Sequence, residues 1–116
     1  MFEGFPILDD GRLEEMVGGD QEFILEILQL YLDSSGPDVD ALCVAADSGR
    51  FEDVLRLAHT IKGASGNIGA DAMMEMSRRV ELAAKSQDKA LVVSETQRTR
   101  ELYRKTTQVI RERLGS

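Results

Sequence analysis

Residues 58–70 of the chain read AHTIKGASGNIGA. They carry its single histidine, a lysine three positions on, and glycines at 63, 66 and 69. At about 3.6 residues per turn, His59, Lys62, Gly63 and Gly66 share one face of a helix, and helical side chains lean toward the N-terminus, so Lys62 is expected to extend back over the imidazole. A neutral imidazole is a good nucleophile near pH 7, and a fixed cation beside it stabilises negative charge on a transferring group. Together they suit phosphoryl transfer, which asks little of a protein beyond positioning and charge neutralisation. The glycines add a second clue. Inside a helix each costs about 1 kcal/mol relative to alanine, so two on one face need a compensating purpose. Close packing of a neighbouring helix would explain them but would leave Lys62 pointing into the packing. Clearance for another protein's surface explains the lysine as well: Gly63 uncovers the ring and Gly66 clears the next turn.

Other chemistries find no support in the spacing. G-x-x-G-x-x-G is not the dinucleotide fingerprint, no strand precedes it, and no G-x-x-x-x-G-K-[ST] phosphate loop occurs. Ser65 in G-A-S-G-N is no nucleophile elbow, and any Ser-His-Asp set would have to recruit His59 itself. Cys43, the lone cysteine, offers neither a disulfide nor a metal-ligand spacing, which suits a reducing compartment. Met73, Met74 and Met76 read as gap-filling core residues before they read as an adaptable groove. A net charge of −7 argues against nucleic acid. No apolar stretch approaches the ~18 residues of a membrane span, and MFEGFPILDD lacks the basic start and long apolar core of a signal peptide. Cytoplasm is therefore the expected location. The charge is uneven: residues 1–58 hold 14 acids against three arginines, and residues 59–116 hold seven acids against 11 lysines and arginines. The histidine sits where the sign changes, with the basic side suited to an acidic partner.

The elements that must position this face are helices, because apolar residues recur at intervals of three and four and nowhere alternate as a strand would. The length fits one domain spanning residues 1–116. A short first helix is expected from Gly11 to Val17, capped by Asp9 or Asp10 and stopped by Gly18-Gly19. Asp20 caps a second. Gly36-Pro37 interrupts this one, yet the phase of Ile24, Leu28, Tyr31, Ser35, Val39, Leu42 and Ala46 continues across it, which predicts one long helix to Asp47, bent near Ser35. Phe51, Val54, Ala58, Ile61, Ser65 and Ile68 form the seam of a third helix, from Arg50 to about Asn67. Met73, Ser77, Val80 and Ala84 form that of a fourth, and Val92, Thr96, Thr99, Tyr103, Thr106 and Ile110 that of a fifth. Short connections make consecutive helices antiparallel, giving an all-α, up-down four-helix bundle with a short extra N-terminal helix. His59, one position past Ala58, then flanks the core and faces solvent.

The stretch His59-Thr60-Ile61-Lys62-Gly63-Ala64-Ser65-Gly66-Asn67-Ile68-Gly69 resembles the histidine-containing phosphotransfer (HPt) family of multistep phosphorelays, whose signature is H-x-[IL]-K-G, a small pair and a further glycine. The likeness extends to an upstream aromatic-rich helix, Phe23 to Leu32, and to Val80-Glu81, similar to the family's usual LE pair; it covers roughly residues 9–88, and the final helix matches in type only. The resemblance implies that His59 is a phosphoacceptor, loaded from a phosphoaspartate on a response-regulator receiver domain and discharged to another receiver, including one within a hybrid histidine kinase. Lys62 would offset the charge of the phosphorylated state, and Gly63 and Gly66 would admit the receiver. Mg²⁺ is expected on the receiver's carboxylates, with no metal or cofactor held by this chain and no labelling from ATP alone. The distal nitrogen Nε2 is expected to attack, with Nδ1 orienting the ring through an unidentified acceptor. Arg78 and Lys85, on the flank of the fourth helix, are candidates to hold the receiver's acidic rim, though solvated surface charge explains each as well. The chain is expected to be a monomeric, free-standing shuttle. The alternatives are a helical adaptor that binds a signalling partner without covalent chemistry, and the phosphoacceptor domain of a histidine kinase. The latter usually has an acidic residue after its histidine and a proline soon after, where this chain has Thr60 and no proline.

Overall fold

A computed structural model of the chain describes residues 2–115. Its helices are α1 (Asp10–Val17), α2 (Gln21–Asp47), α3 (Phe51–Asn67), α4 (Asp71–Ser86) and α5 (Lys89–Arg113). Among the described residues there is no strand, only an isolated bridge between Phe2 and Phe5. Helix starts fall where capping chemistry puts them: the carboxylates of Asp9, Asp20 and Asp88 accept from the N–H groups of Arg12, Phe23 and Leu91, donors that lack an intrahelical acceptor. Gly18, with φ of 65°, takes the left-handed conformation that closes α1.

Gly36-Pro37 does not end α2, as the uninterrupted apolar phase predicts: Ile24, Leu28, Tyr31, Ser35, Val39, Leu42 and Ala46 are all buried on one side. Burial of a continuous seam outweighs the hydrogen bond that Pro37 cannot donate to the carbonyl of Asp33. Polar pairs brace the same region. Ser35 Oγ donates to the Tyr31 carbonyl at 2.5 Å and shares a 2.8 Å hydrogen bond with Tyr103 Oη of α5. Tyr31 Oη shares another, also 2.8 Å, with Ser65 Oγ of α3.

The four long helices pack as a ring, α3 against α2 and α4, and α5 against α4 and α2, while α1 rests on α2. A 27-residue helix is about 40 Å long at 1.5 Å per residue, and α2 accordingly sets the longest dimension of the molecule, 42 Å. Leu28, Leu42, Ile61, Met73, Met76 and Ile110 are fully enclosed in the interior, so Met73 and Met76 do fill core space. In α5 the buried seam passes through Leu102, where the sequence pattern suggested Tyr103. Tyr103 is half-buried beside it, its ring against Tyr31 at 6.4 Å and its hydroxyl on Ser35, the usual compromise of a side chain with an apolar body and a polar tip.

The N-terminal segment laces the turn that follows α3. Asp9 N–H donates to the Gly69 carbonyl at 2.8 Å, and the Pro6 carbonyl accepts from Ala72 N–H at 3.0 Å. Arg12 pairs with Asp71 and donates to the Gly66 carbonyl at 3.3 Å. Further up, Glu3 pairs with Arg79 and Arg98, whose guanidinium groups lie 5.9 and 5.6 Å from the Phe2 ring centre. Among the described residues no helix is long and apolar enough to cross a membrane.

Candidate functional site

Helix α3 turns Val54, Leu57, Ala58, Ile61 and Ser65 into the core. That leaves His59, one step of about 100° from Ala58, on the outer side, where its side chain is 72% exposed. Facing it from α4 is a carboxylate that is almost wholly enclosed: the Glu81 side chain is 9% exposed. Glu81 Oε2 lies 3.4 Å from His59 Nδ1, and Oε1 lies 2.6 Å from Lys62 Nζ, close enough for an ion pair though off the axis of a formed hydrogen bond.

The residues explain one another. A carboxylate withdrawn from water requires a charged or hydrogen-bonding partner, and Glu81 has one on each oxygen. The oxygen facing Nδ1 favours the tautomer with its proton on that nitrogen, which leaves the lone pair on Nε2. With the ring neutral, imidazole, ammonium and carboxylate carry no net charge between them. Lys62 reaches the same carboxylate and shares it with the ring.

The two glycines have different surroundings. A Cβ at Gly63 would have no atom within 4 Å, so that position opens onto free space. A Cβ at Gly66 would stand 3.0 Å from Met74 Sδ of α4. Gly66 therefore stands close to the neighbouring helix, so close helix packing is a second reason, beside the clearance expected from the sequence, for the missing side chain there. The difference between the two is angular: Gly63 lies about 40° to one side of His59 and Gly66 about 20° to the other, toward α4.

Arg78 and Lys85 separate as well. Arg78 donates to both oxygens of Glu75 at 2.8 and 2.6 Å, and Arg79 joins at 3.1 Å. The Arg78 hydrogen bonds, followed by those of Arg79, hold the Glu75 carboxyl down to about 2. Arg78 is thus paired within its own helix while its side chain stays half exposed. Lys85 is exposed and lines the same groove between α3 and α4 as His59. Sequence reasoning missed the role of Glu81, and also Arg56, which shares that groove. A signal for Glu81 was present: it stands one position past Val80 of its seam, just as His59 stands one past Ala58. Two such flanking positions on adjacent helices can meet.

Residues 26–112 match the family model described as the Hpt domain. Among solved structures, that of histidine-containing phosphotransfer protein B (HptB) from Pseudomonas aeruginosa PAO1 is similar in fold, with a TM-score of 0.85 at 20% identity over 96% of this chain and 97% of the other. No curated protein gives a significant sequence match.

Proposed function

Because the chain belongs to the Hpt domain family, we propose that it is a phosphorelay intermediate whose His59 takes a phosphoryl group from a receiver-domain phosphoaspartate and passes it to another receiver. The observation that carries this reading is the arrangement around one ring: Nδ1 facing an enclosed carboxylate, the side chain 72% exposed, and no side chain at position 63 to obstruct an incoming surface.

In the forward step the Nε2 lone pair forms the N–P bond while the P–O bond to the aspartyl carboxyl breaks, and the aspartate departs as a carboxylate. The ring acquires positive charge as the bond forms. Its Nδ1–H faces Glu81, whose negative charge offsets that gain, and a contact that is long in the resting protein is free to shorten at that moment. A phosphoryl group brings close to two negative charges at neutral pH, and Lys62, 31% exposed beside the ring, is the cation that offsets them. The reverse step follows the same path with a receiver aspartate as nucleophile. Mg²⁺ bound by receiver carboxylates would neutralise the phosphoryl oxygens from the other side. The reading places the chain in the cytoplasm, as a monomeric single-domain antiparallel bundle without autokinase activity.

Incubation with a ³²P-labelled receiver domain tests it. Label should appear on the chain, be acid-labile and alkali-stable as expected of phosphohistidine, vanish in His59→Gln, and never arise from ATP alone. Binding of the receiver without any transfer of label would identify an adaptor and overturn the proposal.

A further inference from the structure

Between the first half of α3 and the second half of α4 runs an open groove of about 480 Å³, lined from His59 and Glu81 at one end to Phe51 and Gln87 at the other. Its floor is apolar, formed by Phe51, Leu55 and Ala84, and its rims are cationic, with Arg56 on α3 and Lys85 on α4. Neither cation is committed to the fold. Arg56 is 67% exposed and meets only Asp53, at 3.6 Å, while Lys85 has no ion-pair partner among the described residues. Of the acids on the walls, Glu81 is engaged by His59 and Lys62, and Glu52 lies one turn before Arg56.

We propose that this groove is a second foothold for the phosphodonor. It receives an apolar side chain of the receiver domain, flanked by a carboxylate that Arg56 and Lys85 grip, while His59 meets the phosphoaspartate. The inference rests on the phosphotransfer reading and specifies its partner surface. Continuity supports it, since His59 is itself a wall of the groove and any protein seated on the imidazole is carried onto the adjoining rim. Charge supports it too. The centre that delivers the phosphoryl group is acidic, and cations on the rim draw such a surface in and fix its register, an effect expressed mainly in the association rate. The apolar floor adds burial that keeps water from the nitrogen–phosphorus contact. Arg56 is one of only three basic residues in the first 58 positions, against 14 acids, so its place one turn before His59 runs against the charge of its surroundings.

The test compares two phosphodonors. Phosphoramidate, a small molecule, reaches His59 without a docking surface, whereas a phosphorylated receiver needs one. The ratio of receiver-driven to phosphoramidate-driven labelling should fall about tenfold or more in Arg56→Glu/Lys85→Glu, and also in Leu55→Gln, with helicity checked by circular dichroism. The control Arg104→Glu/Lys105→Glu makes the same charge change on α5 and should stay within about twofold of wild type. A ratio unchanged in the exposed double variant, or one that falls equally in the α5 control, overturns the groove while leaving phosphotransfer intact. Failure of any receiver to label the wild-type chain that phosphoramidate does label would sink the phosphotransfer reading, and the groove with it.

Discussion

Glu81 gives the imidazole and the ammonium a common counter-charge, which turns two separately readable side chains into one unit. In Glu81→Gln the shape and one acceptor remain but the charge is lost. Receiver-driven labelling of His59 is expected to slow about tenfold with thermal unfolding little changed, since the effect lies in offsetting ring charge. Lys62→Ala should be slower still, by about ten- to a hundredfold, because it removes the cation that faces the phosphoryl oxygens and leaves the enclosed carboxylate with the ring alone. Equal transfer rates in wild type and both variants would show that the cluster does not assist the chemistry. The histidine and its lysine were legible in the sequence because their spacing is local. Their shared carboxylate was not, because it arrives from another helix, 22 residues on, and only the packing of α3 on α4 decides which flanking position of α4 comes opposite.

At the scale of the element, α3 separates its two costs. Gly63 opens onto empty space, so Gly63→Ala should raise the unfolding free energy by roughly 0.5–1 kcal/mol, measured by urea denaturation. Gly63→Gln should fold as well as wild type and yet lose most receiver-driven labelling, while retaining labelling by phosphoramidate. A stabilised, fully active Gly63→Gln would mean that nothing docks over that position. At Gly66 a bulky side chain must displace Met74, so Gly66→Val is expected to destabilise the helix pair without a gain from helix propensity. One helix's sequence could not distinguish these glycines, since both lie on the same stripe and the boundary between solvent and α4 is drawn by the neighbouring helix. Helix ends were far easier. Asp9 and Asp20 act through bonds three residues away, and the uninterrupted phase of α2 correctly outweighed the punctuation of Gly36-Pro37.

Across the whole molecule, two titrations bound the stable range. Glu75 has a folded pKa of about 2, below its ordinary 4.5, chiefly through its hydrogen bonds with Arg78. Its contribution is present above pH 4.5 and is lost as the pH falls toward 2, so Glu75→Gln should differ from wild type in thermal stability at pH 6 and converge with it near pH 2. Burial pushes the Tyr31 hydroxyl well above its ordinary 10, so the unfolded chain releases that proton first and stability falls as the pH rises past 10. The uneven distribution of charge was visible in composition, but which cations remain uncommitted was not. Arg78 is spent on Glu75 and Arg12 on Asp71, whereas Lys85 is free to meet a partner. Arg12→Ala, which strands the largely buried Asp71 and unlaces the turn after α3, is expected to cost about 1–2 kcal/mol in unfolding free energy.

The chain has no tryptophan, and of its two tyrosines Tyr31 is enclosed and hydrogen-bonded to a serine on the very helix that bears His59. Its near-ultraviolet absorbance is thus an optical gauge built into the protein. Above pH 10, phenolate absorbance from Tyr31 should emerge only as α2 and α3 part, allowing loosening of the phosphoacceptor helix to be followed without any attached dye.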